Sequence, residues 1–286
     1  MRSFFGGKHL DTLETIAKEW EAAGRFGSRE TRMARAMHWL PYYMMLCDQA
    51  EERPFDPKAD PTGFIAVLTE QGILRPTDTL LDIGAGMGEY ALRFAGHCKR
   101  VTALEVNPAG IALMQKRADA CGVRNLETVC DLWERFEPDK TFDVTFASMC
   151  PAICNVEEIL RMEQMTNRTC CLLTVLPGSY DLHRRAMMQE LQLRPAGMVT
   201  DGTMYEQVLT AMGRDVRIVT KEFTSKHDVR AETVLQQFPV YFAVFGIREP
   251  DAEAFLRDYL DRNAENGVLH DESKLRYALL TWNVNG

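Results

Sequence analysis

The chain has 286 residues, 33 basic against 41 acidic, a formal net charge of −8, and a hydrophobic fraction of 46%. That length suits one large domain with a substantial accessory segment. The acidic balance disfavours a nucleic-acid surface and leaves a small molecule as the expected substrate partner. The N-terminus lacks the apolar run of a signal peptide and no eighteen apolar residues stand together, so the expectation is a soluble cytoplasmic protein with no membrane partner. Its eight cysteines (Cys47, Cys98, Cys121, Cys130, Cys150, Cys154, Cys170 and Cys171) form no CxxC pair and read as reduced, buried thiols. Cys150 and Cys154 have a spacing that could reach a soft metal, but small buried hydrophobes fit them better, and no metal is assigned.

From the N-terminus, residues 9–24 place Leu10, Leu13, Ile16, Ala17 and Trp20 at helical spacing and stop at Gly24. Residues 30–52 form a second helical stretch, with Met33, Met37, Leu40, Met44 and Met45 on one side and His38, Trp39, Tyr42 and Tyr43 nearby. Pro41 should bend or break it, because proline has no N–H and its ring strikes the preceding turn. Together they make an N-terminal helical cap, residues 1–60, whose aromatics either pack on the main domain or roof its pocket. The proline-rich run Arg53 to Pro61 marks the boundary with a domain spanning 61–286. A helix over Thr62 to Gln71 follows.

The next stretch organises the rest. Thr79 to Ile83 is a short apolar strand, cut off by Gly84, Gly86 and Gly88 and followed at once by the helical pattern Tyr90 to Ala95. Glycine permits positive φ and lets the backbone approach a ligand where a Cβ would collide. A dinucleotide fingerprint would place a small residue at 89, where this chain has Glu89, and no phosphate-binding lysine follows. Asp82, just before the loop, suits a zwitterionic amino-acid end and would repel a pyrophosphate.

Strand and helix then alternate, as in a parallel sheet covered on both faces. The second strand, Arg100 to Glu105, ends in an acid 23 residues after Asp82, and a helix runs from Ala109 to Cys121. A carboxylate there can accept from both hydroxyls of a ribose. The third strand, Leu126 to Cys130, leads into Asp131 and Leu132; the fourth, Thr141 to Ser148, exits through Met149, Cys150 and Pro151; the fifth is Thr169 to Leu176.

The pattern Asp82-x-Gly84-x-Gly86-x-Gly88, with Glu105 and Asp131 in order behind it, resembles the class I S-adenosylmethionine (SAM) methyltransferases over residues 61–176. The resemblance implies a Rossmann-like α/β fold with a doubly wound, mostly parallel, seven-stranded sheet. It also implies SAM as cofactor, held by Asp82, Gly84, Gly86, Gly88, Glu105, Val106 against the adenine, Asp131 and Leu132 at the adenine edge, and Ser148. The acceptor would lie at the exit of the fourth strand, near Met149 and Cys150, with Tyr42 and Tyr43 above. That exit has no [Asn/Asp]-Pro-Pro-[Tyr/Phe], so methylation of an adenine or glutamine amine is unsupported, and Cys150 precedes its proline, unlike a cytosine-C5 nucleophile. No residue stands out as a general base.

About fifty to sixty residues would complete the simplest sheet after the fifth strand, so helices are expected to be inserted at about 179–214 and 228–266. The former comprises Ser179 to Arg194 and Thr203 to Met212; the latter, Ala231 to Phe238 and Asp251 to Asn263. Val216 to Phe223 and Leu275 to Trp282 are the last two strands. Tyr180, His183, Tyr205, His227 and Tyr241 are candidates for a second wall of the acceptor site. The expected function is methyl transfer to a small molecule. A SAM-binding accessory or regulatory protein without transferase activity, a protein methyltransferase, and transfer of the aminocarboxypropyl arm of SAM stand as alternatives.

Overall fold

The computed structural model describes residues 13–24, 28–193 and 202–284. Residues 9–12 of the first expected helix, with Leu10, and Arg194 fall outside them. The elements, in order, are α1 (Leu13–Gly24), α2 (Arg29–Glu51), α3 (Phe64–Glu70), β1 (Thr79–Ile83), α4 (Ala91–Phe94), β2 (Arg100–Glu105), α5 (Pro108–Cys121), β3 (Leu126–Cys130) and β4 (Phe142–Ser148). Then come α6 (Val156–Gln164), β5 (Thr166–Val175), β6 (Tyr180–Asp181), α7 (Leu182–Glu190), α8 (Gly202–Ala211), β7 (Arg217–Arg230), α9 (Ala231–Ala243), α10 (Glu249–Asn263) and β8 (Val268–Asn283).

The sheet order is β3-β2-β1-β4-β5-β8-β6, with β7 on β8. Strands β1 to β5 are mutually parallel and β8 is antiparallel to β5. Among the described residues the sheet has eight strands where seven were expected, the extra one being the two-residue β6 paired to Ser273 and Lys274. Alternation along β1 sends Leu80 to one face and Leu81 and Ile83 to the other. On the first face Phe64 and Leu68 of α3, Leu92 and Phe94 of α4 and Met114 of α5 close the core. On the second, Trp20 of α1, Ile159 and Met162 of α6, and Val208 and Leu209 of α8 do so. A third cluster joins α7, α9 and α10 to Trp39 of α2. Among the described residues no helix is long and apolar enough to cross a membrane.

Two expectations about local structure are corrected. Helix α2 runs unbroken through Pro41. Pro41 and Met37 are both exposed, so the carbonyl that loses its partner lies on the solvent side. Packing on either side then holds the helix. The expected strand 216–223 continues to Arg230, and its partner begins at Val268, not Leu275, so the second insertion is helical only over α9 and α10. The added length of this hairpin lacks apolar alternation. It is held by cross-strand polar pairs: Ser225 with Ser273 at 2.8 Å, Lys226 with Glu272 at 3.7 Å, and Asp228 with His270 at 2.8 Å. Helix α9 also continues past Phe238, through Pro239, to Ala243.

Candidate active site

Strand register brings the candidates together. Asp82 pairs with Ala103 and Ile83 with Leu104, so Asp82 and Glu105 end adjacent strands, and Cys130 pairs with Glu105 on the far side. Ile83 also pairs with Ala147, which puts Ser148 one residue beyond on β4. All four strand ends therefore open on one edge of the sheet, where ligands of open α/β sheets bind.

The glycine loop is fixed from below and open above. The N–H groups of Gly84 and Ala85 both donate to the Leu104 carbonyl at 2.9 Å. Gly84 has φ +70°, and a Cβ there would lie 2.6 Å from the Cys150 sulfur. At Gly88, φ +80°, a Cβ would meet Met114 Cγ at 2.5 Å. Gly86, φ +57°, has nothing within 4 Å of a would-be Cβ, leaving room beside the loop for a ligand. Gly110 of α5 packs on the Gly86 carbonyl, where a Cβ would come to 2.7 Å. Gly110 was not singled out from the sequence, because a glycine inside a helix carries no signal of what it touches.

Asp82 is 2% exposed, and no salt bridge among the described residues reaches it. Burial, with the Glu105 charge added, pushes its carboxyl up to about 8 against one backbone donor, Ala91. Glu105 is braced by the backbone: Oε2 accepts from Gly86 N–H and Oε1 from Asn107 N–H, both at 2.8 Å. Burial still raises its pKa. Its oxygens retain lone pairs for further donors, since a carboxylate accepts about four bonds. At the end of β3 the half-buried Asp131 carboxylate accepts from the N–H of buried Leu132 at 2.8 Å, so the two expected adenine contacts are paired with each other. Val106 is half-buried beside them, its carbonyl facing the Cys130 thiol at 3.8 Å.

At the β4 exit Met149 takes φ +47°, in the left-handed region that a residue with a side chain seldom adopts. The turn leaves its side chain 42% exposed and tucks Cys150 against Gly84. Burial pushes the Cys150 thiol up to about 12, so it remains neutral and is not a nucleophile. Cys154 is also buried and raised to about 12, and among the described residues no group of three or more His, Cys, Asp or Glu could hold a metal.

A cavity of about 340 Å³ opens beside the loop. Asp82, Gly84, Gly86, Ser148 and Met149 line it, together with residues the sequence reading missed: Asp60 and Thr62 of the linker, Glu89, Tyr90 and Arg93 after the loop, and Tyr277 of β8. Thr62 Oγ1 lies 3.2 Å from the Tyr90 hydroxyl and donates to Asp60 at 3.4 Å. Tyr42 and Tyr43 do not line this cavity. They belong to an aromatic cluster with Trp39, Tyr241 and Phe245. Tyr43 keeps part of its ring exposed, while desolvation of its hydroxyl end, with Tyr42, Glu105 and Cys150 in electrostatic range, pushes the phenol up to about 12. Of the other aromatic and histidine candidates, Tyr205 is buried with its hydroxyl on the Ile153 carbonyl. His183, Tyr180 and His227 sit against the outer half of the hairpin, beside Tyr259, Glu272 and Asp271 respectively.

Residues 80–169 match the family model described as a methyltransferase domain. Over that stretch the chain resembles a methyltransferase domain. It is similar over 67 residues, at 36% identity, to the protein named "Probable ribosomal RNA small subunit methyltransferase A" of Methanosarcina acetivorans, covering 23% of this chain and 24% of that one. Over 56 residues it is 39% identical to the "Probable dimethyladenosine transferase" of Dictyostelium discoideum, covering 20% and 18%. The match thus spans about a quarter or less of each curated relative. Among solved structures, the YcgJ protein of Bacillus subtilis superposes with a TM-score of 0.50 at 14% identity, over 77% of this chain and 97% of that one, a likeness of fold. These relatives correct one expectation. A net charge of −8 disfavoured nucleic acid and pointed to a small molecule, yet both curated relatives are named for reactions on RNA or adenosine. Net charge sums the whole surface and does not report the local surface at the mouth of a site.

Proposed function

We propose that this chain is a SAM-dependent methyltransferase whose acceptor is a nucleic acid. The observation that carries the first part is Asp82: a buried carboxyl beneath an open glycine loop, with no salt-bridge partner among the described residues, fits the ammonium of an amino-acid cofactor. SAM supplies an electrophilic methyl group on a sulfonium. In this reading Asp82 takes the ammonium, the loop allows close approach, and Glu105 receives the ribose hydroxyls. Asp131, Leu132 and Val106 frame the adenine, and Ser148 and Met149 border the acceptor side of the cavity. Exclusion of water from a site bounded by these side chains favours an in-line displacement that disperses charge. Support for the acceptor class comes from the names of the curated relatives. It stops short of the adenine amine, because Ser148-Met149-Cys150-Pro151 lacks the motif expected for that chemistry.

Isothermal titration with SAM and with S-adenosylhomocysteine, on the wild type and on Asp82→Ala and Glu105→Ala, tests the cofactor. Micromolar binding lost in both variants is expected, and no binding to the wild type would overturn the reading. Transfer of a labelled methyl group into small-subunit ribosomal RNA tests the acceptor, and label absent from RNA would overturn that part alone.

A further inference from the structure

The one-turn helix after the glycine loop leaves a binding problem. Helix α4 spans only Ala91–Phe94. Few aligned peptide dipoles stand behind it. Of the residues lining the cavity, Asp60, Asp82 and Glu89 are acidic and Arg93 is the one cation. An amino-acid ligand bringing an ammonium to Asp82 also brings a carboxylate, which would enter a cavity of mostly negative groups.

Arg93 is built to meet it. Its side chain is 9% exposed, its guanidinium lies 4.5 Å over the Phe55 ring, and its Nε donates to the Ala59 carbonyl at 2.7 Å. Nη1 donates to the Glu89 carboxylate at 2.8 Å. Arg117, equally buried, stacks on the same Phe55 ring at 4.9 Å and reaches the other Glu89 oxygen at 3.2 Å. Two buried guanidiniums thus share one carboxylate that is itself half-exposed, which leaves a surplus positive charge in a poorly solvated place.

Resting on the cofactor reading above, we infer that Arg93 recognises the carboxylate of the cofactor's amino-acid arm, with Glu89 as a competing partner on the same guanidinium. Asp82 and Arg93 then read the two ends of one zwitterion. The planar guanidinium, fixed by Phe55 and Ala59, is already oriented, so little rotamer freedom is lost on binding.

The test compares SAM with decarboxylated SAM, which keeps the sulfonium and the amine and lacks the carboxylate. Titration of the full chain should favour SAM by between about tenfold and a hundredfold, the range of a hydrogen bond to a charged group. Arg93→Gln should weaken SAM by that factor, leave decarboxylated SAM unchanged and bring their ratio near one. Because Arg93 also anchors Ala59, Glu89→Gln provides a variant that leaves the guanidinium in place. It frees Arg93 of its competitor and should tighten SAM about threefold or more without tightening decarboxylated SAM. Equal affinities of the wild type for the two ligands, or an equal response of both to Glu89→Gln, would overturn the inference while leaving the methyltransferase reading intact. Failure of the wild type to bind SAM at all would overturn that reading and this inference with it.

Discussion

The Asp82 carboxyl makes cofactor binding a proton-linked event. In the free protein its pKa is pushed up to about 8, so it is protonated and neutral through most of the physiological range. An ammonium placed against it stabilises the ionised form, and binding below pH 8 must therefore expel a proton. The cofactor's α-amino group titrates near the same point, about 7.7–8.0, and must keep its proton. Affinity then follows the product of two populations. At pH 6 about one Asp82 in a hundred is ionised; at pH 8 about half are, and roughly two fifths of the amines are still charged, so affinity rises about twentyfold between these values. Above pH 8 it falls again as the amine is lost. Calorimetry at pH 6.5 in two buffers of different ionisation enthalpy should report close to one proton released per site. Asp82→Asn keeps the shape and removes the titration: the acid limb should vanish, leaving a two- to threefold loss of affinity from pH 6 to pH 8. A flat profile in the wild type, or an acid limb that survives Asp82→Asn, would refute the assignment of the ammonium to this residue.

Glu105→Ala should cost about 2–3 kcal/mol of stability in urea denaturation, because the N–H groups of Gly86 and Asn107 both lose their acceptor; a loss confined to SAM affinity would show that the carboxylate has no part in bracing the loop. Gly84→Ala should destabilise by more than about 1 kcal/mol, since a Cβ meets the Cys150 sulfur and φ is +70°. Adding Cys150→Ala should recover part of that loss in thermal melts and no recovery is expected from a cysteine change elsewhere. Pro41→Ala restores a helix N–H at an exposed position of α2 and should raise stability by about 1–3 kcal/mol, measured by chemical denaturation.

Much of the cofactor half was legible because its signals are local. Gly84, Gly86 and Gly88 need positive φ, and all three have it; Asp82 and Glu105 fall at strand ends because the strands before them are short apolar runs of ordinary length. The other half of the cavity was not legible. Tyr277 comes from β8, almost two hundred residues beyond Asp82, through an antiparallel strand whose outer end is written in polar cross-strand pairs with no apolar rhythm. Asp60 sits in the proline-rich run that reads as a boundary and Thr62 at the start of the helix expected after it, and only packing shows Thr62 lying against Tyr90. Arg93 occupies a helical position with no sequence signal of what it touches, yet Phe55, Ala59 and Glu89 surround it. Tyr42 and Tyr43 were placed near the pocket by their aromatic character. In the fold that character serves the contact between α2 and α9.

The attachment of α2 to the sheet domain can be tested through one buried pair. Arg32 Nη2 donates to Glu158 Oε1 at 2.7 Å, and both side chains are less than a tenth exposed. Glu158 also accepts from the Trp133 indole at 2.6 Å, and the buried Glu134 lies 3.9 Å from Arg32. Burial raises the Glu158 pKa even with Trp133 and Arg32 opposing it, so desolvation is the larger effect at that carboxylate. The pair then contributes position more than stability. Removing one member strands the other: Arg32→Met alone should cost about 3–5 kcal/mol, while adding Glu158→Met should recover part of that, since it removes the stranded Glu158 charge but leaves the Trp133 indole without its acceptor. The same helix carries Tyr43 and, at its far end, Cys47, whose sulfur accepts from Asn107 beside Glu105 at 3.6 Å. If α2 orders the cofactor site, Arg32→Met should weaken SAM binding, and the double variant should recover part of the folding stability without recovering affinity in proportion. Recovery of both together would mean that the pair acts on stability alone and that the clasp at the N-terminus of α2 has no separate part in holding the site.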